Sequence, residues 1–266
     1  MELENILTDL KNGKIGLEKA NAEIRSMGYV PVSDIAKIDT FRKHRTGIME
    51  AILAEGKAPE DVVEIAKAQV AAMGRTLITR LDEGSSKALE DAFDPEDIEW
   101  SLHKTTAVVS NGTPAPRTGG KVAIISAGTA DIMVAEEAKM VASEMGCETQ
   151  TIYDVGVAGF HRLVHEMLKL KEDMPDAVVV AAGREGTLPT VVSGLVDVPV
   201  IGLPVSTGYG AGAKGEAALL SMLQSCSVLS VVNIDAGFVA GSFAGRIANK
   251  MAEMRRMGNA EENTEV

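Results

Sequence analysis

Positive charge, aromatic side chains, cysteine and long apolar runs are all scarce in this sequence of 266 residues. Lys and Arg number 26 against 38 Asp and Glu, which leaves a formal net charge of −12. A duplex nucleic-acid binder neutralises phosphates with a basic surface, so no nucleic-acid partner is expected. A small anionic ligand stays compatible, because backbone N–H groups at a helix N-terminus bind phosphate inside an acidic protein. Aromatic residues make up 3%, so the core must be built from Ala, Val, Ile, Leu and Met. The cysteines are Cys147 and Cys226 alone. The first residues are acidic and lack the apolar segment of a secretory signal, and no apolar run reaches the length of a membrane span. A cytoplasmic protein with no membrane partner is therefore expected, and each cysteine is read as a free thiol.

What is present is a hydrophobic content of 45%, enough to exclude general disorder, and a change of texture near residue 118. Residues 1–118 are charged and helix-rich, and are expected to form a smaller α+β domain. Helical spacing covers Ile6–Leu10 and Ile15–Met27. Pro59 opens a helix that turns Val62, Val63, Ile65, Ala66 and Val70 inward. Ser85–Phe93 is a further predicted helix. Ile48–Ala54, Arg75–Arg80 and Ala107–Ser110 are predicted strands. Asn111–Gly120, NGTPAPRTGG, has the punctuation of a linker.

Residues 119–257 alternate regularly. Predicted strands are Lys121–Ser126, Thr149–Val155, Ala177–Ala182, Val200–Leu203 and Val228–Ile234. Helices are predicted for Ile132–Met145, His161–Leu170, a stretch after Thr187, Gly215–Gln224 and Gly241–Met257. Residues 258–266 form a polar tail. Strands without polar alternation, separated by helices, predict a parallel sheet covered on both faces. The fold class is thus α/β, a three-layer doubly wound parallel sheet preceded by the smaller α+β domain. Ligands in such sheets bind beyond the carboxyl ends of the strands.

Three loops fall at those ends. Ser126–Asp131, SAGTAD, offers N–H groups and the Ser126, Thr129 and Asp131 side chains to a phosphate or ribose, or is an ordinary βα turn. Gly183–Thr187, GREGT, presents Glu185 as a general base or as a solvated loop carboxylate. Leu203–Lys214, LPVSTGYGAGAK, with Ser206, Thr207, Tyr209 and closely spaced glycines, is neither a Walker A loop nor a dinucleotide fingerprint. It covers a ligand or simply turns the chain. Cys226, before the last strand, is a nucleophile or a small core residue. Cys147 reads as core. His161 and His165 are spaced i, i+4 without the pattern of a zinc site. His161, at the helix start, is the one placed to reach a cleft.

Taken together, these runs resemble a family. Residues 121–250 resemble the aminoimidazole ribonucleotide carboxylase/mutase fold. The whole chain more closely resembles the carboxylase/hydrolase family of nickel-pincer nucleotide cofactor biosynthesis, which serves the maturation of lactate racemase. Matching runs include GRTL (Gly74–Leu77), TRL (Thr79–Leu81), SAGTAD, VAEEA (Val134–Ala138), DVGVAGFHRL (Asp154–Leu163), GREGTL (Gly183–Leu188), GLPVSTGYG (Gly202–Gly210), Ser225–Cys226 and VNIDAGFVAG (Val232–Gly241). The resemblance implies carboxylation of the pyridinium ring of nicotinic acid adenine dinucleotide at its 5-position by carbon dioxide. It also implies hydrolysis of the phosphoanhydride, with release of AMP. It makes Cys226 the nucleophile and Glu185 the base. Ser126, Gly128, Thr129, Asp131, His161, Gly183, Ser206, Gly208 and Lys214 become substrate-binding candidates. It further implies a homo-octamer with shared sites and no tightly bound cofactor, with magnesium as a possible aid to anhydride cleavage. The chain departs from the family pattern at Arg184, where an apolar residue is common, and at Met133, where proline is usual.

Two alternatives stay open. One is the purine-pathway carboxylase or mutase itself, which usually stands alone and carries Ser-Ala-His-Arg where this chain has VAGFHR (Val157–Arg162). The other is a non-catalytic dinucleotide sensor on the same fold. A reactive Cys226 separates the first from the leading reading, and turnover separates the second.

Overall fold

The computed structural model describes residues 3–26, 28–208 and 210–262. Helices α1 (Leu3–Lys11) and α2 (Leu17–Ser26) precede strands β1 (Val30–Val32) and β2 (Ala36–Ile38), which form an antiparallel hairpin. Then follow α3 (Arg42–Thr46), β3 (Ala51–Leu53), α4 (Pro59–Met73), β4 (Arg75–Thr79), α5 (Glu83–Ala92), β5 (Ile98–Trp100) and β6 (Thr106–Ser110). A four-stranded sheet has the order β3-β4-β6-β5. Pro59 sits in the first turn of α4, where its missing N–H costs nothing. Val62, Ile65, Ala66 and Val70 of that helix are buried as their spacing predicts, while Val63 is only half-buried.

The C-terminal part alternates strictly: β7 (Lys121–Ser126), α6 (Ile132–Glu144), β8 (Glu148–Ile152), α7 (Phe160–Leu170), β9 (Ala177–Ala182), α8 (Leu188–Ser193), β10 (Val200–Pro204), α9 (Glu216–Leu223), β11 (Ser230–Val231) and α10 (Gly237–Glu262). The sheet order is β11-β10-β9-β7-β8 and every pairing is parallel. This is the predicted doubly wound α/β fold. The chain divides into two compact units, residues 1–99 with 108–113 and residues 100–107 with 114–266.

Small residues explain how a core forms with few aromatics. On one face of the sheet α10 buries Ala240, Ala244, Ala248 and Ala252, one residue per turn. A Cβ added to Gly241 would lie 2.3 Å from the Ala138 carbonyl oxygen, so α6 and α10 touch backbone to backbone. Val122, Ile124, Val179, Ile201 and Leu203 fill the space beneath. On the other face Ile125, Val178, Val180, Leu163, Leu188 and Met222 pack together. Each such side chain contributes about 1.5–3 kcal/mol on burial.

Some boundaries differ from the sequence reading. The hairpin β1–β2 and strand β5 have no counterpart in it, because three-residue strands carry too few positions to show a period. The last strand shrinks from 228–234 to Ser230–Val231, since it pairs at the sheet edge with β10 alone. Helix α10 runs on to Glu262, into the stretch read as a polar tail. Residues 263–266, Met27 at the expected end of α2, and Tyr209 lie outside the described residues. Among the described residues no helix is long and apolar enough to cross a membrane.

Candidate active site

Strand order locates the site. From β7 the chain crosses first to β8 on one side and then back to β9 on the other. The connections therefore diverge at the carboxyl ends of β7 and β9 and leave a crevice there. A cleft of about 520 Å³ occupies this point. Gly128, Thr129 and Asp131 line it from the loop after β7, Asp154 from the loop after β8, Glu185 from the loop after β9 and Thr207 from the loop after β10.

Asp131 is buried, 5% exposed, and joins these loops. Its Oδ2 accepts the Gly128 N–H at 2.8 Å, and its Oδ1 accepts the Thr207 hydroxyl at 3.0 Å. Burial pushes its carboxyl above the ordinary aspartate value; the Gly128 amide and the Thr207 hydroxyl oppose this, and the Glu185 charge adds to it. Glycine is required at two adjoining positions. A Cβ on Gly183 would lie 2.4 Å from Thr207 Oγ1 and 2.7 Å from Asp131 Oδ1. One on Gly208 would lie 2.8 Å from the Gly183 carbonyl oxygen. The backbone can come this close only without side chains.

Ser126 does not line the cleft. It is fully buried, and its Oγ accepts the Asp154 N–H at 3.3 Å while its carbonyl accepts the Val155 N–H at 3.1 Å. Its role in the fold is to hold the β8 loop, where Asp154 adopts a left-handed backbone (φ 58°). The Asp154 Oδ2 accepts from Arg162 Nη1 at 2.5 Å. Next to it, the Tyr153 hydroxyl donates to the buried Glu136, which also accepts from Lys139 at 3.1 Å. Burial and that carboxylate push the Tyr153 hydroxyl upward.

The remaining candidates scatter. Ser206 is half-buried and its N–H donates to Asp235 Oδ1 at 2.8 Å; Thr207, one residue on, is the one that faces the cleft. His161 is exposed in the first turn of α7 and lies off the cleft lining, as does exposed Lys214, which has a left-handed backbone (φ 60°) before α9. Cys226 is exposed, in the loop between α9 and β11. That loop leads into the amino end of a parallel strand, whereas Glu185 follows the carboxyl end of β9. The first turn of α9 packs on Gly186, since a Cβ there would lie 2.6 Å from the Ala218 carbonyl oxygen. Cys226 comes after the far end of that helix, where its neighbour Ser225 accepts from Thr190 Oγ1 at 2.8 Å. Within one chain, then, Cys226 is not brought into the cleft with Glu185. Cys147 is buried and hydrogen-bonded to Asn249, and burial pushes its thiol up to about 11.

The sequence reading gave no site role to Thr207, Asp154 or Arg184, all of which line the cleft. Arg184 belongs to the same short loop as Glu185, so the departure from the family pattern lies inside the site. Asp154 had a visible signal, a charged residue at the start of a loop following a strand. Among the described residues no three His, Cys, Asp or Glu side chains are placed to hold a metal ion. Asp131, the most buried carboxylate of the cleft, already has both oxygens engaged. These residues do not form a preorganised magnesium site.

Comparison with known proteins adds the following. Residues 121–264 match the family AIR carboxylase, and residues 30–109 match the LarB/PurE-like N-terminal domain. An uncharacterized protein of Methanocaldococcus jannaschii is 38% identical over 253 residues, covering 94% of this chain and 98% of that protein. The N5-carboxyaminoimidazole ribonucleotide mutase of Thermotoga maritima is 26% identical over 149 residues, 51% of this chain and 83% of that enzyme. The crystal structure of Treponema denticola PurE aligns with 55% of this chain and 95% of its own, at a TM-score of 0.38 and 22% identity.

Proposed function

Because the chain belongs to the AIR carboxylase family and carries a LarB/PurE-like N-terminal domain, we propose that it carboxylates nicotinic acid adenine dinucleotide at the 5-position of the pyridinium ring and hydrolyses its phosphoanhydride. The products are AMP and pyridinium-3,5-biscarboxylic acid mononucleotide, the precursor for nickel-pincer cofactor synthesis. The observation that carries this reading is the union of the two matched regions on one chain that also presents a carboxylate, Glu185, in the switch-point cleft and, away from it, an exposed thiol, Cys226.

The chemistry needs both groups. A pyridinium ring is electron-poor and cannot attack carbon dioxide. The Cys226 thiolate forms a C–S bond to the ring, and the displaced electron pair neutralises the ring nitrogen. The ring is now enamine-like, and its 5-carbon forms a C–C bond to carbon dioxide. Glu185 takes the proton from that carbon, the electron pair expels the thiolate, and aromaticity returns. Water then attacks the phosphoanhydride and AMP leaves. One dinucleotide, one carbon dioxide and one water give one AMP and one biscarboxylated mononucleotide. Thr129, at the start of the helical turn after β7 and on the cleft lining, is the residue assigned here to a phosphate or ribose.

The reading includes a homo-oligomer, an octamer by family resemblance, in which a second copy brings Cys226 to the cleft. Two exposed apolar stretches support a covered surface. Leu223 and Val228, 61% and 94% exposed, flank Cys226. Phe160, Val164 and Leu168 form an exposed stripe at i, i+4 spacing on α7, just after the cleft-lining Val157 and Ala158.

The test is a mass-spectrometric assay of the full chain with nicotinic acid adenine dinucleotide and bicarbonate, with and without magnesium, beside Cys226→Ala. Appearance of AMP and the biscarboxylated mononucleotide, abolished in the variant, is the expected result. An unchanged dinucleotide overturns the proposal, and turnover of aminoimidazole ribonucleotide in its place would select the purine-pathway alternative.

A further inference from the structure

We infer that Thr207 is a positioning residue, which acts through Asp131 to clamp together the three loops that form the cleft. The geometry carries this. Asp131 belongs to the loop after β7, and its two carboxylate oxygens reach different partners. Oδ2 stays within its own loop and fixes the turn by accepting the Gly128 N–H at 2.8 Å. Oδ1 reaches out to the loop after β10 and accepts the Thr207 hydroxyl at 3.0 Å.

Between them passes the loop after β9, with Gly183 so close that a Cβ would lie 2.4 Å from one partner and 2.7 Å from the other. The Thr207–Asp131 bond thus closes over the backbone two residues before Glu185. Gly208 adds a further close approach, since a Cβ there would lie 2.8 Å from the Gly183 carbonyl oxygen. Asp131 is 5% exposed, and the Gly183 backbone N–H also donates to its carboxylate, so the Thr207 hydroxyl is the side-chain donor that ties the β10 loop to a carboxylate already shared by the other two loops. A hydrogen bond to a charged, buried carboxylate is worth more than a neutral one, so its loss loosens the β10 loop from the other two.

Asp131 therefore acts from behind the reacting groups. The Gly128 and Thr207 hydrogen bonds and the Gly183 amide together use most of the roughly four acceptor positions of its carboxylate, so the loops claim more of Asp131 than a substrate can. The side chain that sets where Glu185 stands is a threonine whose methyl and hydroxyl have separate duties. The hydroxyl donates to Asp131, and the methyl makes no polar contact.

The substitutions Thr207→Val and Thr207→Ser separate these duties. Valine keeps the shape and removes the donor; serine keeps the donor. Hydrogen–deuterium exchange of residues 183–187 and 205–208 in the full chain reads the clamp directly and does not depend on the activity proposed above. Thr207→Val is expected to raise exchange in both segments by about tenfold, the value of one lost hydrogen bond, while strands β7 and β9 stay protected. Thr207→Ser is expected to restore wild-type exchange.

The kinetic arm rests on the proposed carboxylation. There Thr207→Val should lower kcat about tenfold with KM changed less than threefold, and Thr207→Ser should recover it, because a displaced base harms the chemical step more than binding. Wild-type exchange in Thr207→Val, or equal loosening in both variants, overturns the clamp. A wild-type chain that releases no product overturns the functional reading alone, and the exchange data still decide the clamp.

Discussion

Two inactive variants should restore each other. Glu185→Ala lacks the base and Cys226→Ala lacks the nucleophile, so each alone is expected to release no biscarboxylated product. The structure makes their combination informative. Both groups must come within about 3–3.5 Å of neighbouring ring atoms, which puts them within roughly 7 Å of one another. In one chain, Ala218 packs against Gly186 and Cys226 follows the far end of the same helix. On the order of 10 Å of helix axis separates those levels, and Cys226 is absent from the cleft lining. Under the proposed function, a site that uses both groups takes Cys226 from a second copy. If the variants are mixed in equal amounts and the oligomer is allowed to exchange subunits, half of the clefts carry an intact Glu185. Half of the arriving loops carry an intact Cys226. About one quarter of the sites are then whole, and AMP release by mass spectrometry should recover to about a quarter of the wild-type rate. Single-turnover assays before and after mixing make the measurement. No recovery in a demonstrably mixed oligomer would mean that both groups come from one chain, and the division of the site argued from the sheet would be wrong.

Gly183→Ala should destabilise the protein. Its Cβ would have to gain about 1 Å from Thr207 and Asp131, and overpacking of that kind costs about 1–3 kcal/mol, or roughly 2–10 °C in the calorimetric midpoint. An unchanged midpoint would show that the loops are not packed as described. The two cysteines should separate cleanly at pH 8. Cys147, with its thiol pushed up to about 11 by burial, has almost no thiolate until the pH approaches that value, so iodoacetamide should label Cys226 alone until the chain is unfolded. Early labelling of Cys147, read by peptide mass, would refute its place in the core.

How far the sequence could be read depended on the length of the signal. Lys121–Ser126 and Ala177–Ala182 were read to the residue, because an unbroken apolar run (VAII in the first, AVVVAA in the second) between turn signals admits few readings. The edge strand at Ser230–Val231 was overestimated at both ends: Val232 and Asp235 still donate to the Gly202 and Pro204 carbonyls of β10, but as single bonds outside the ladder. The loops singled out from the sequence line the cleft, and the structure distinguishes which of their residues face it. The sequence pattern favours Ser206 where Thr207 faces the cleft. It also favours Ser126 as a substrate contact, whereas its hydroxyl holds the Asp154 loop. Neighbouring residues in a loop look alike to composition, and only the backbone course separates them.

The sequence by itself determined the α/β class, the regular alternation from residue 121 onward, and the carboxyl-end loops as the place for a site. These follow from periodicity and from the rule that parallel strands need crossovers, which are local properties of the chain. Only the tertiary structure decided which groups meet. It set the order β11-β10-β9-β7-β8, brought Asp131 and Thr207 together across 76 positions of sequence, and left Cys226 off the cleft that holds Glu185. Strand order and the direction in which α9 carries the chain are fixed by packing over the whole sheet, and no local pattern records them.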